Sequence, residues 1–171
     1  HIIRSSRFSV AILDGNEKKE DLQKLSNDIF MYYGLGCRSV SKIYLPKDYD
    51  LDILFKQVYS WKDIINNSSY YNNYTYNKTI YLMSEEKFFD NGFLILKEST
   101  EIGSPIGAVF FEYYENDNTV IKSLKKYSEK IQCIVGKNIV ENLVEFGNTQ
   151  RPSLDDFADK INTLDFLLKL S

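Results

Sequence analysis

Short apolar runs that alternate with amphipathic stretches restrict the fold of this chain more than any other feature. Residues 8–13 read FSVAIL and stop at Asp14-Gly15. A run that short, closed by a turn-forming Asp-Gly pair, predicts a buried strand. Over residues 18–33, Leu22, Leu25, Ile29 and Tyr33 recur at three and four residues with charges between them, which predicts one apolar helix face. Gly34 supplies the stop, because glycine enters a left-handed cap without strain. Residues 40–45 predict the next strand, ended by Pro46.

The pattern continues along the chain. Asp50 is placed to cap a helix through Tyr59, with Leu51, Leu54, Phe55 and Val58 on one side. Residues 61–67 read as irregular or as a short helix, and the Asn- and Tyr-rich tract 70–83 as helical in its second half. Residues 93–97, 108–113 and 131–135 predict strands, and residues 118–130 a helix with Val120, Ile121, Leu124 and Tyr127 inward. In the tail, Leu164, Phe166, Leu168 and Leu170 alternate as a strand would, yet the same residues also fit a helix. Strands alternating with helices argue for an α/β domain with a mostly parallel sheet flanked by helices.

One domain is expected over residues 1–171, without repeats or linkers. A domain usually holds roughly 100–200 residues, and one of this size can bury a substantial core. The net charge is −3, so no basic face invites nucleic acid. The longest apolar runs fall far short of the about 20 residues that span a bilayer. Two cysteines, Cys37 and Cys133, are too few for a disulfide scaffold, and a cytoplasmic location is expected. The 24 Tyr and Phe residues (13 and 11) read as core filling. Asn66, Asn67, Asn73 and Asn77 each open an Asn-x-Ser/Thr pattern, read here as chance in an Asn-rich tract. Lys122, Lys125, Lys126 and Lys130 read as a solvated helix face.

Cys37 is the residue most suited to chemistry. It follows a helix, between Gly36 and Arg38, and glycines let a substrate approach the backbone closely. A free thiol has a pKa of about 8.5, so cationic neighbours raise the reactive thiolate fraction. Arg38 and Lys42 are candidates for that role, and Arg4, Arg7 and Arg151 are scattered in sequence. Spacing alone is a weak pattern and leaves a buried structural cysteine open. Cys133, inside the apolar IQCIV, reads as core. His1 is terminal, and no Cys–His dyad is built on it.

The segment from Phe8 to Leu45 resembles the nucleophile region of the aldehyde dehydrogenase superfamily. The order is an apolar strand ending at Asp14, a long helix, a Gly-x-x-Cys turn at Gly34 to Cys37, then Ser41-Lys42-Ile43. Leu35 departs from the family's usual Gln. Glu101-Ile102-Gly103-Ser104-Pro105-Ile106 resembles the family's Glu-Ile-Phe-Gly-Pro-Val loop, and Phe146-Gly147 falls where a late Pro-Phe-Gly loop lies. More narrowly, GLGCRSVSKIYLP, NGFLILKE and TLDFLLKL resemble bacterial acyl-CoA reductases of the kind that supplies aldehyde to luciferase. The likeness runs through the whole chain and matches only the C-terminal catalytic domain of such enzymes.

The resemblance implies that Cys37 is the nucleophile and that Glu101 holds the cofactor ribose. It implies NADPH or NADH, bound mainly by a dinucleotide-binding domain outside this chain, and no metal. The implied partner is an acyl-CoA or an acyl-enzyme donor; a homo-oligomer is open, and no membrane insertion is expected. Aldehyde-oxidising members carry a water-activating Glu ahead of the first strand, whereas the window 1–7 has no carboxylate. Positioned bases give roughly 10²–10⁴-fold, so exchange with coenzyme A is favoured over hydrolysis. The Cys37 N–H would serve the oxyanion, the family's second donor being an Asn outside this chain. This chain alone is expected to fold without reducing acyl-CoA. The alternatives are another oxidoreductase of the superfamily, or a non-catalytic assembly or binding domain of that fold.

Overall fold

The computed structural model describes residues 6–136, 139–141, 143–158 and 161–169. His1, Arg4 and Leu170 lie outside them. In chain order the elements are β1 (Phe8–Ile12), α1 (Lys19–Phe30), β2 (Val40–Pro46), α2 (Leu51–Val58), α3 (Ser68–Met83), β3 (Phe89–Asp90), β4 (Ile95–Glu98), β5 (Ala108–Tyr114), α4 (Asp117–Lys126), β6 (Ile131–Gly136) and α5 (Thr163–Leu168). The strands form one sheet in the order β3-β4-β5-β2-β1-β6. All pairings are parallel except that of the short edge strand β3 with β4. The mostly parallel α/β architecture read from the sequence is therefore the one observed.

Each face of the sheet is covered. On one side Ala11, Ile43, Leu45 and Val109 pack against α1, α2 and α3 through Leu22, Leu25, Leu54 and Tyr74. On the other, Val10, Ile12 and Tyr44 pack against Val120 and Leu124 of α4. Burying a side chain such as Leu25 or Leu54 contributes roughly 2 kcal/mol.

Three helices depart from the sequence reading. The first is shorter than 18–33 because Tyr32, Tyr33 and Gly34 have φ of 56°, 61° and 73°. Three successive left-handed residues cannot continue a right-handed helix. Tyr33, expected inward, is 44% exposed. Second, α3 is helical throughout rather than in its second half. The Asn67 side chain caps it by accepting from the Tyr70 N–H at 2.9 Å, and Tyr70, Tyr74 and Tyr81 bury one side. Third, α4 stops at Lys126 and gives way to a short 3-10 turn, Ser128–Lys130. The ambiguous tail forms the helix α5, capped by the Asn162 side chain on the Asp165 N–H at 3.0 Å.

Candidate active site

Cys37 lies where the chain enters β2. Gly36, Cys37, Arg38 and Ser39 form a tight turn closed by the Ser39 N–H on the Gly36 carbonyl at 2.9 Å. The Cys37 side chain is exposed. Its carbonyl accepts from the buried Ser9 hydroxyl at 2.9 Å, and that oxygen accepts from the Cys133 N–H at 3.2 Å. Register shifts accompany this placement on both sides of β1, between Ser9 and Val10 toward β2 and between Phe8 and Val10 toward β6. One hydroxyl thus ties the Cys37 turn to β1 and β6. Ser9 was missed in the sequence because its partners lie far along the chain.

Of the two cations expected beside Cys37, Lys42 goes elsewhere, whereas Arg38 stays within electrostatic reach of Cys37 while bonding other groups. The Arg38 guanidinium donates to Cys133 Sγ at 3.2 Å and to the Thr149 carbonyl at 3.2 Å, and pairs with Asp156 at 2.7 Å. Burial pushes the Cys133 thiol up, and the Arg38 charge acts against that. Lys42 is 0% exposed and bonds Glu112 Oε2 at 2.8 Å and the Ser99 carbonyl. It points to the face opposite α1 because it alternates with Ile43 along β2. Burial pushes its ammonium down, and Glu112 opposes that. Of the remaining arginines, Arg7 borders the Cys37 cleft and Arg151 is exposed.

A cleft of about 340 Å³ opens over Cys37. It is bordered by the entrances of three strands: Arg7 before β1, Cys37 and Ser39 before β2, and Ser104 before β5. Open α/β sheets ordinarily bind ligands at the carboxyl ends of their strands; this cleft lies at the amino ends. The loop before β5 is held close by Ser41, whose hydroxyl donates to the Ile102 carbonyl at 3.2 Å, and by Lys42 on Ser99. Phe8 packs where a Cβ on Gly103 would stand, 2.2 Å from the ring. Glu101 is exposed on this loop, its N–H donating to Ser99 Oγ at 3.1 Å. It does not line the cleft, so the structure brings Cys37 and the Glu101 loop together but not the two side chains.

The tail is latched beneath the turn. The Asp28 carboxylate of α1 accepts from the Gly147 N–H at 2.6 Å, the Thr149 N–H at 3.1 Å and the Thr149 hydroxyl at 2.8 Å. Burial pushes the Asp28 carboxyl up against the pull of those bonds. Gln150 then reaches Ser39 Oγ with its Nε2 at 3.4 Å. Among the described residues no group of three or more His, Cys, Asp or Glu could hold a metal ion, and no helix is long and apolar enough to cross a membrane.

No protein-family model matches the chain, and no curated protein sequence does. Solved structures do match its fold. An indole-3-acetaldehyde dehydrogenase from P. syringae, in complex with NAD+ and IAA, matches over 80% of this chain and 34% of its own, with a TM-score of 0.55 and 6% identity. An NAD-dependent aldehyde dehydrogenase from Sinorhizobium meliloti matches over 85% and 35%, with a TM-score of 0.52 and 7% identity. A Delta-pyrroline-5-carboxylate dehydrogenase from Mycobacterium tuberculosis matches over 81% and 31%, with a TM-score of 0.50 and 11% identity. The chain therefore has an aldehyde-dehydrogenase-like fold and spans about a third of the length of these structures.

Proposed function

We propose that this chain is the nucleophile-bearing domain of an oxidoreductase that reduces an acyl-CoA thioester to an aldehyde. The observation that carries this reading is the exposed Cys37 in a cleft at the strand entrances, its turn anchored by Ser9. A thiol whose backbone is fixed while its side chain is open suits covalent catalysis.

The Cys37 thiolate attacks the thioester carbonyl. A sulfur–carbon bond forms, the carbonyl electron pair moves to oxygen, and the Cys37 N–H, which has no acceptor among the described residues, stabilises that oxygen. Collapse expels coenzyme A as its thiolate and leaves an acyl group on Cys37. A nicotinamide cofactor, when bound, supplies hydride. Hydride delivered to the Cys37 thioester carbon would give a tetrahedral alkoxide, whose collapse would break the sulfur–carbon bond, release aldehyde and restore the Cys37 thiolate.

Glu101 is the residue of this chain suited to that cofactor. Its side chain is exposed, a carboxylate accepts from ribose hydroxyls, and Lys42 and Ser41 fix the loop on both sides. The lack of a carboxylate in the window 1–7 supports acyl exchange over hydrolysis. In the full enzyme, Cys37→Ala is expected to abolish acyl-CoA reduction, and retained reduction would refute the proposal. Glu101→Gln is expected to weaken cofactor binding, and unchanged affinity would remove Glu101 from the cofactor site.

A further inference from the structure

The Cys37 cleft is bordered by four serines, and their hydroxyls differ in what they have left to give. Ser104 donates to the Ala108 carbonyl at 2.7 Å, and Ser41 donates to the Ile102 carbonyl at 3.2 Å. Both protons are committed to holding the loop before β5. Ser6 is exposed at the rim. Ser39 is different: it is 4% exposed, and its oxygen is a hydrogen-bond acceptor, taking Nε2 of Gln150 at 3.4 Å. Its own proton has no acceptor among the described residues. A hydroxyl carries one proton and two lone pairs, so a donor on one lone pair leaves the proton to be aimed elsewhere. A buried hydroxyl with an uncommitted proton is costly unless something accepts it.

Ser39 shares the four-residue turn of Cys37, and both line the same cleft. Gly36 keeps the space beside the hydroxyl open: a Cβ there would stand 3.6 Å from Ser39 Oγ and 3.8 Å from Gln150 Nε2.

We infer that Ser39 is a catalytic residue, its hydroxyl donating to the oxyanion that forms when Cys37 attacks a carbonyl. The inference rests on the proposed acyl chemistry of Cys37. As the sulfur–carbon bond forms, the carbonyl electron pair moves to oxygen, and Ser39 Oγ–H and the Cys37 N–H donate to it. When the oxyanion collapses, the pair returns, the leaving group departs with its own electrons, and the Ser39 proton stays on Ser39. Gln150 is the positioning residue that turns the hydroxyl toward the cleft.

Two reagents separate this role from a structural one. p-Nitrophenyl acetate acylates a thiol through an oxyanion; iodoacetamide alkylates it without one. The measurement follows both reactions at Cys37 in the wild type, Ser39→Ala and Cys37→Ala, with the modified residue identified by peptide mass. Ser39→Ala is expected to slow acylation about 10²-fold and to leave alkylation within about twofold of wild type. Equal acylation rates in Ser39→Ala and wild type would overturn the inference, and so would an equal loss of both reactions. A wild type that alkylates but is never acylated at Cys37 would instead overturn the acyl chemistry itself.

Discussion

The two ends of the parallel strands use their polar side chains in opposite ways. At the carboxyl ends, carboxylates and amides are spent on starting helices and turns. Glu17 accepts from the Asp14 and Gly15 N–H groups at 2.6 and 3.1 Å, Asp50 caps α2 on the Asp52 N–H at 2.9 Å, and Asn116 caps α4 on the Thr119 N–H at 3.2 Å. At the amino ends the polar side chains around the cleft are four serines, Arg7 and one thiol. Ser9, Ser41 and Ser104 hold backbone carbonyls, and the exposed Cys37 thiol makes no hydrogen bond among the described residues. Helix starts need side-chain oxygens that accept from their first N–H groups, and here carboxylates and amides supply them. Strand entrances need only hydroxyls that bridge neighbouring segments, which leaves a thiol there free for chemistry.

That contrast can be broken by substitution. The largest effect is expected at Gly107, where the chain enters β5 with φ of 83° and a Cβ would lie 2.7 Å from the Tyr74 Cα. Both the backbone conformation and the packing of α3 oppose a side chain, so Gly107→Ala should lose about 3 kcal/mol. Chemical denaturation measures it; a loss below about 1 kcal/mol would mean that α3 is not packed against this entrance.

A smaller loss is expected at Ser9. Ser9→Ala leaves the Cys133 N–H and the Cys37 carbonyl without their bridge, at a cost of about 2 kcal/mol, and should slow acylation of Cys37 about tenfold through a looser turn. Stability lost with acylation unchanged would show that Ser9 serves the sheet alone.

The smallest effect is expected at the opposite end. Burial pushes the Glu17 carboxyl up from its ordinary 4.5, despite its bonds to backbone N–H groups. The folded state therefore holds this proton more tightly than the unfolded state. Its contribution is fully present below pH 4.5 and is lost as the pH rises through the folded value. Wild type should lose stability relative to Glu17→Gln over that rise, while Cys37 alkylation stays the same in both. A change in Cys37 reactivity would join the two ends that the contrast separates.

Much of the framework was legible in the sequence. Apolar runs such as FSVAIL and the run at 108–113 mark buried strands because parallel strands covered on both faces carry few polar residues. The strand β3 escaped because two residues carry no periodicity. The early end of α1 escaped because Tyr32 and Tyr33 match helix spacing while their backbone turns left-handed. In the site, a thiol just after Gly34 and Gly36 was legible as a candidate, but its supports were not. Ser9 meets Cys133 across 124 residues, and Gln150 meets Ser39 across 111. Lys42 looked like a neighbour in sequence, yet strand alternation carries it to Glu112.

Cys37 alone is proposed to receive the acyl group. The direct measurement incubates the chain with an acyl-CoA and locates any thioester-linked acyl group by peptide mass. One acyl group is expected on Cys37, none on the buried Cys133, and none anywhere in Cys37→Ala. Acylation that persists in Cys37→Ala, or that falls on Cys133 in the wild type, would contradict it.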